Sequence, residues 1–331
     1  MSGTRPGVRA TAVVMALLGL LVGIAVIAYF NFGAVLAAMG PIGLGGFLAV
    51  VAAQVALFLP LGLAWWVVAL QEAALIPAFI WGRLMREAAS DVLPFSHVGA
   101  ILIATRAAVL GGVSTATASG SCVIDITFEI VAQLIYTLVG VALLAHQLGF
   151  GAGSHGPLMP VLVGLGLATC AVGGFIATQR RGLRAFERLV ERWRPSVLHH
   201  AVAITAVVEQ AYEQPLRLLA CLGLHLFSWF SAAGGAWLIL DLMGHPLPFL
   251  SVVGIESLLF ATRNAAFMVP SGLGVQEGAY ALLGPLFGLP ADAALALSLL
   301  KRARDLAIGI PLLLGWQIIE SRRTLRGGVA R

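Results

Sequence analysis

The sequence predicts an all-α, polytopic helical membrane protein that forms a single integral membrane domain over residues 1–331. Of its 331 residues, 60% are hydrophobic and 11% are charged, which lies far outside the composition of soluble proteins. The mean hydropathy is +0.96. Apolar stretches of roughly 20 residues, long enough to cross about 30 Å of hydrocarbon, recur along the chain.

Hydropathy predicts about eight membrane spans, at residues 11–30, 42–70, 113–147, 157–178, 217–241, 249–268, 272–289 and 291–318. Residues 95–112 are also apolar, but they are few and end in Gly111-Gly112, which predicts a re-entrant segment. The resulting divisions are a first half (1–178), a cytoplasmic amphipathic linker (179–216), a second half (217–318) and a cytoplasmic tail (319–331).

The distribution of basic residues predicts the orientation. An even number of spans places both termini on one side. The loops predicted there, 1–10, 71–93, 179–216 and 319–331, hold fourteen of the twenty Lys and Arg residues. The opposite loops hold none, so the positive-inside rule predicts that both termini are cytoplasmic. In the linker, arginines alternate with Leu189, Val190 and Trp193 at helical spacing, which fits either a helix lying on an anionic membrane or a solvated helix. Neither interpretation requires nucleic acid.

Ionisable residues inside the predicted spans are the main functional signal. They are Arg106, Asp125, Glu129, Glu256, Arg263, Glu277, Lys301, Arg302, Arg304 and Asp305. At roughly 2.5–3.5 kcal/mol each, ten lipid-facing charges would cost on the order of 25–35 kcal/mol. We therefore expect them to face one another or water and to form a polar site. Buried structural ion pairs are the alternative.

Spacing predicts some of the pairs. Lys301 and Asp305 lie four residues apart on one helical face, as do Asp125 and Glu129. The second pair consists of two acids. We expect a cation such as Arg106 or Arg263 between them, unless one acid is protonated.

A helix break before Glu277 predicts a binding element. Pro270 lacks a backbone donor, and Gly272, Gly274 and Gly278 follow it. A new helix starting near Ser271 would direct free N–H groups into the protein, which suits an anionic headgroup. The alternative is that Gly274 and Gly278 only allow close helix packing.

Two stretches of the chain resemble each other. The first runs from Pro94 through one charged residue and a glycine to Asp125, and the second runs similarly from Pro270 to Asp305. Matching broken helices in two halves are typical of transporters with internal, inverted repeats.

Metal and catalytic patterns do not occur in the sequence. Cys122, Cys170 and Cys221 are odd in number and widely spaced, so neither a disulfide framework nor a zinc site is indicated. The histidines lack metal-ligand spacing, and no nucleophile and base are ordered for catalysis. We therefore expect no metal, no cofactor and no catalytic residue.

Three C-terminal motifs carry a family resemblance: residues 256–260, 270–278 and 300–306, with residues 93–129 similar to an earlier block. They resemble the hopanoid-biosynthesis-associated integral membrane proteins (HpnL). Those are similar to the wider group that contains the membrane half of lysylphosphatidylglycerol synthase, the flippase-like domain of MprF. The resemblance implies re-entrant helical bundles in the bacterial inner membrane that move a phospholipid between leaflets, often as homodimers.

The resemblance also limits the function. The synthase relatives carry a soluble aminoacyl-transfer domain, and this sequence stops about a dozen residues after its last predicted span, so we do not expect it to make an aminoacyl lipid. The expected ligand is a membrane lipid, either a hopanoid or a phospholipid, held by the ten ionisable residues together with Pro270, Gly272 and Gly274. A lipid flippase is the first expectation. A non-catalytic scaffold that binds hopanoid-pathway proteins and an intramembrane lipid-modifying enzyme are the alternatives.

Overall fold

The computed structural model describes residues 40, 42–70, 75–93, 97–149, 158–193, 198–266 and 274–327. Within these ranges the chain forms ten α-helices: α1 Gly43–Val67, α2 Ile76–Val92, α3 His97–Leu110, α4 Thr115–Gln147, α5 Leu158–Trp193, α6 Leu198–Tyr212, α7 Pro215–Leu242, α8 Phe249–Ala265, α9 Val275–Leu286 and α10 Ala291–Gly327. The all-α prediction is confirmed. The predicted span at 11–30 lies outside the described residues.

Three of the described helices are long and apolar enough to cross a membrane: α1, α4 and α7. Their bounds agree to within a few residues with the predicted spans 42–70, 113–147 and 217–241. The chain is therefore a multi-pass helical membrane protein.

Two helices are longer than predicted. Helix α5 runs without a break from Leu158 to Trp193, so the predicted boundary at residue 178 between a span and the linker falls inside one helix. Helix α10 continues to Gly327, beyond the predicted end at 318. In both cases the sequence turns polar without a helix-breaking residue, so hydropathy falls while the helix continues.

Most of the segment predicted as a loop at 71–93 is helix α2. Its buried residues recur at helical spacing and include Phe79, Met85 and Val92, which is the pattern of an amphipathic helix. It packs against α1, α3, α4 and α10. The arginines that lower its hydropathy point into the protein, where they contribute to the candidate site.

The helices at the two positions of the predicted repeat are too short to cross the hydrocarbon alone. Helix α3 has 14 residues and α9 has 12, or about 21 and 18 Å at 1.5 Å per residue. The first agrees with the short element predicted at 95–112, whereas the helix in the predicted span 272–289 is shorter than a span. Each short helix precedes a long one, α4 or α10, which is the order that the predicted repeat requires. Its inverted orientation stays a prediction.

The predicted linker packs onto the bundle. Helix α6 buries Ala201, Thr205, Val208 and Ala211 and contacts α4. Gln179 is buried and donates to the Thr127 hydroxyl at 3.2 Å. The two helices that contain the described linker residues, α5 and α6, thus both contact the central helix α4.

Helix α1 approaches α2 closely at Gly62. A Cβ added there would lie 2.6 Å from Ile80 Cα, a backbone atom that cannot rotate away. We expect Gly62→Ala to lower the free energy of unfolding by about 1–3 kcal/mol, as overpacking of a core does. Thermal unfolding in detergent measures this. Gly235→Ala on α7, where an added Cβ meets nothing within 4 Å, is the control, and equal losses in both variants would contradict the explanation.

Candidate functional site: two buried ionic networks

Two groups of ionisable side chains in the described bundle form buried networks. The α2–α4 network contains Arg83, Arg86, Glu87, Asp125 and Glu129, with His225 of α7 attached. The α8–α10 network contains Glu256, Glu277, Tyr280, Lys301 and Arg302. Both consist of side chains from different helices, so helix packing determines their geometry.

In the α2–α4 network, two guanidinium groups bind two carboxylates. Arg83 lies 2.6 Å from Glu129 Oε1 and 3.3 Å from Asp125 Oδ2. Arg86 lies 2.6 Å from Glu129 Oε2 and 3.3 Å from the same Asp125 oxygen. The side chains of Arg83 and Asp125 are only 2% and 1% exposed. The prediction that Asp125 and Glu129 share a helical face is confirmed.

The cations that bind these acids differ from the expected ones. Arg106 lies apart, where it binds Glu320 at 3.0 Å with half of its side chain exposed. Arg263 lies over the ring of Phe260, with 5.8 Å between Cζ and the centroid. The prediction that either of them neutralises Asp125 and Glu129 is wrong. Arg83 and Arg86 do so, because the segment predicted as a loop is helix α2.

His225 of α7 is the third basic side chain in contact with the Asp125 carboxylate. Its Nε2 lies 2.9 Å from Asp125 Oδ1, and its side chain is fully buried. Its other ring nitrogen, Nδ1, is buried and has no hydrogen-bond partner among the described residues. A buried polar atom of this kind marks a strained or functional position.

Asp125, Cys221 and His225 also place ligand-type atoms within 4.8 Å of one another. Both carboxylate oxygens of Asp125 are already engaged, Oδ1 by His225 and Oδ2 by the two arginines. A divalent ion would compete with two guanidinium groups for the same carboxylate. We therefore assign these residues to the ionic network.

The centre of the α8–α10 network is a buried carboxylate with two donors. Lys301 Nζ lies 2.5 Å from Glu256 Oε2, and it also donates to the Tyr280 hydroxyl at 2.8 Å. That hydroxyl donates to the second oxygen of Glu256. Lys301 Nζ is 5.5 Å from the ring centroid of Phe260, so the ammonium group also lies over the face of an aromatic ring.

At the start of α9, a carboxylate joins a helix N-terminus to an arginine. Gly274 has φ +75°, which glycine adopts readily, and its N–H donates to Glu277 Oε2 at 2.9 Å. Arg302 Nε lies 3.1 Å from Glu277 Oε1. The described helix starts at Val275, and its own Glu277 binds the N–H group of Gly274 at the helix N-terminus. Pro270 and Gly272 lie outside the described residues.

The predicted pair of Lys301 with Asp305 is wrong. Asp305 accepts two hydrogen bonds from its neighbour Arg304, at 2.7 and 2.9 Å. Lys301 extends instead to Glu256, which is completely buried and requires a cation. Arg304 also interacts electrostatically with Asp91 at the end of α2, so this pair links α10 to the first half of the chain.

Sequence reasoning missed Arg83, Arg86, Glu87, His225 and Tyr280. The two arginines had a detectable signal, since apolar residues around them recur at helical spacing. His225 and Tyr280 lie inside predicted spans, but only formally charged residues were counted there. A polar ring inside a membrane span is itself a functional signal.

The fold and these networks define a class: multi-pass helical membrane proteins with a charged interior. The chain belongs to the family described as the lysylphosphatidylglycerol synthase TM region, which it matches over residues 16–315. Comparison with curated proteins finds no match, and neither does comparison with solved structures. The family match covers all ten ionisable residues that the sequence singled out.

Proposed function

We propose that this protein is a lipid flippase of the bacterial inner membrane, with both termini cytoplasmic, that moves a phospholipid or a hopanoid between leaflets. Membership of the family supports a membrane function. The main support for the proposal is the contact between Glu277 and Arg302. It lies at the partly exposed N-terminus of α9 and contains an arginine that can bind a lipid phosphate.

Arg302 has the chemistry to bind a lipid headgroup. Its side chain is 7% exposed, whereas that of its partner Glu277 is 25% exposed. A guanidinium group binds the paired oxygens of a phosphate as well as those of a carboxylate. A headgroup phosphate can therefore replace Glu277 as the partner of Arg302 without leaving a buried cation unpaired.

Release of Glu277 would affect more than one helix. Its carboxylate holds the Gly274 N–H at the start of α9 and Arg302 on α10. Helix α10 also contacts α2, near Asp91. Headgroup binding at Arg302 would therefore alter the packing of α10 against both halves, the kind of movement that exposes a site to each leaflet in turn.

The two candidate lipid classes would bind different parts of the α8–α10 network. A phospholipid offers a phosphate to the guanidinium group. A polyhydroxylated hopanoid offers hydroxyl groups, which the Glu256–Tyr280–Lys301 centre of the same network can bind. The hopanoid assignment rests on the narrower resemblance of the C-terminal motifs.

The test is a flippase assay in proteoliposomes with a headgroup-labelled anionic phospholipid and a membrane-impermeant quencher. We expect Arg302→Ala to reduce the rate of lipid movement roughly tenfold or more, corresponding to the loss of one charge-assisted hydrogen bond. We expect a smaller reduction for Glu277→Gln, which keeps an acceptor. Arg184→Ala removes an exposed arginine paired with Glu209 and should match wild type.

Parallel assays separate the alternatives. A labelled polyhydroxylated hopanoid that moves while the phospholipid does not would assign the substrate to hopanoids. If folded wild-type protein moves neither lipid faster than empty liposomes, the flippase proposal fails and a scaffold is favoured. Mass spectrometry of the recovered lipids that shows a chemical change would instead indicate an enzyme.

A further inference from the structure

The two networks differ in charge balance. The α8–α10 network is balanced, since the cations Lys301 and Arg302 contact the two carboxylates of Glu256 and Glu277. In the α2–α4 network, two guanidinium groups contact three carboxylates, those of Glu87, Asp125 and Glu129. Among the described residues, the α2–α4 network therefore carries one negative charge in excess.

His225 is placed to supply the missing positive charge. It contacts Asp125 at 2.9 Å in a fully buried position, and its Nδ1 lacks a described partner. Protonation would make the network neutral, and loss of that proton would return the excess negative charge. An imidazole ring can both accept and release a proton.

The acidic side chains of the network differ in exposure, and they become more buried toward His225. The side chain of Glu87 is 27% exposed and that of Glu129 is 16% exposed, whereas Asp125 and His225 are 1% and 0% exposed. Acceptor oxygens thus run from the partly exposed edge to the buried imidazole. The ionisable groups around it are Arg83, Arg86 and Glu87 from α2, Cys122, Asp125 and Glu129 from α4, and Cys221 from α7.

We propose that His225, held by Asp125, is the proton-binding site that couples lipid movement to a proton gradient. The inference rests on the proposed flippase function and names its driving ion. The neutral imidazole accepts a proton from water on one side of the membrane, forming an N–H bond, and later returns it to water on the other side. Because α7 contacts α1, α4 and α8, the charge change at His225 reaches helices of both halves.

The experiment imposes a pH gradient on proteoliposomes that contain the labelled phospholipid and a trapped pH-sensitive dye. With one proton per lipid, a gradient of one unit corresponds to about tenfold asymmetry at equilibrium. We expect His225→Gln, which retains a hydrogen-bonding group near Asp125 but cannot titrate, to equilibrate the lipid without asymmetry and without proton movement. Ser228→Ala is the matched control, since this buried hydroxyl bonds only to Leu224 of its own helix in the described structure.

The outcomes distinguish this proposal from the flippase proposal. Two results would overturn the proton site but not the flippase function. One is lipid asymmetry driven by the gradient in His225→Gln, and the other is wild-type lipid movement that does not depend on the gradient. Absence of any lipid movement in wild type overturns both. If His225→Gln does not fold, the wild-type assay still tests the proposal, since lipid movement that does not respond to the gradient overturns the proton site. Lipid addition to unbuffered proteoliposomes should shift the dye signal, and an unchanged signal during lipid movement overturns the proton site.

Discussion

Replacement of Arg83 by alanine is expected to lower the free energy of unfolding by about 3–5 kcal/mol, the effect of removing one partner from a buried ion pair. Arg83 is the most connected cation of the α2–α4 network. It lies 2.6 Å from Glu129, 2.9 Å from Glu87 and 3.3 Å from Asp125. Its removal leaves a buried acid pair with one guanidinium group, that of Arg86.

Unfolding by heat or denaturant in detergent measures this effect, with helix content as the signal. Arg184→Ala provides the control, because this arginine also bonds to a glutamate but its side chain is 64% exposed. Exposed ion pairs contribute little to stability, so no measurable change is expected. If the two variants unfolded alike, the α2–α4 network would not be a stabilising element.

The charge-conserving variant Arg83→Lys separates charge from geometry. An ammonium group keeps the charge but cannot span Asp125 and Glu129 as the planar guanidinium group does. We expect a loss of stability between those of wild type and Arg83→Ala. A loss as large as that of alanine would mean that the fork geometry, rather than the charge, stabilises the network.

The sequence predicts the membrane class and the helices that hydropathy alone defines. Helices α1, α4 and α7 lie where predicted because each contains a long apolar run with at most two charged residues. Helix α2 was predicted as a loop because Arg83 and Arg86 lower its hydropathy, although its apolar residues recur at helical spacing. Hydropathy cannot tell a polar loop from a helix whose charges are neutralised by partners elsewhere in the fold.

The sequence predicted several residues of the candidate site, but it predicted few of the ion pairs that they form. Asp125, Glu129, Glu256, Lys301 and Arg302 were singled out because ionisable residues in apolar runs need partners. The partners come from tertiary packing, which a single sequence does not contain. Local spacing even favoured a wrong pair, since Lys301 reaches across to α8 instead of along its own helix.

The second large effect is expected at Lys301. Glu256 is fully buried and its side chain contacts Lys301 Nζ at 2.5 Å. Lys301→Met removes the cation and leaves the carboxylate with the Tyr280 hydroxyl as its described donor. We expect a loss of about 3–5 kcal/mol in unfolding free energy, measured as for Arg83.

A double-mutant cycle with Glu256→Gln tests the cause. The glutamine variant alone leaves the ammonium group of Lys301 buried without its carboxylate, so it too should be destabilised. In the double variant no buried charge remains at this position, and most of the stability should return, because replacing both members of a buried pair is often neutral. Additive losses in the double variant would show that the two side chains act independently. Recovery would show that stability alone does not require the pair and would thus favour a role for its charges in lipid handling.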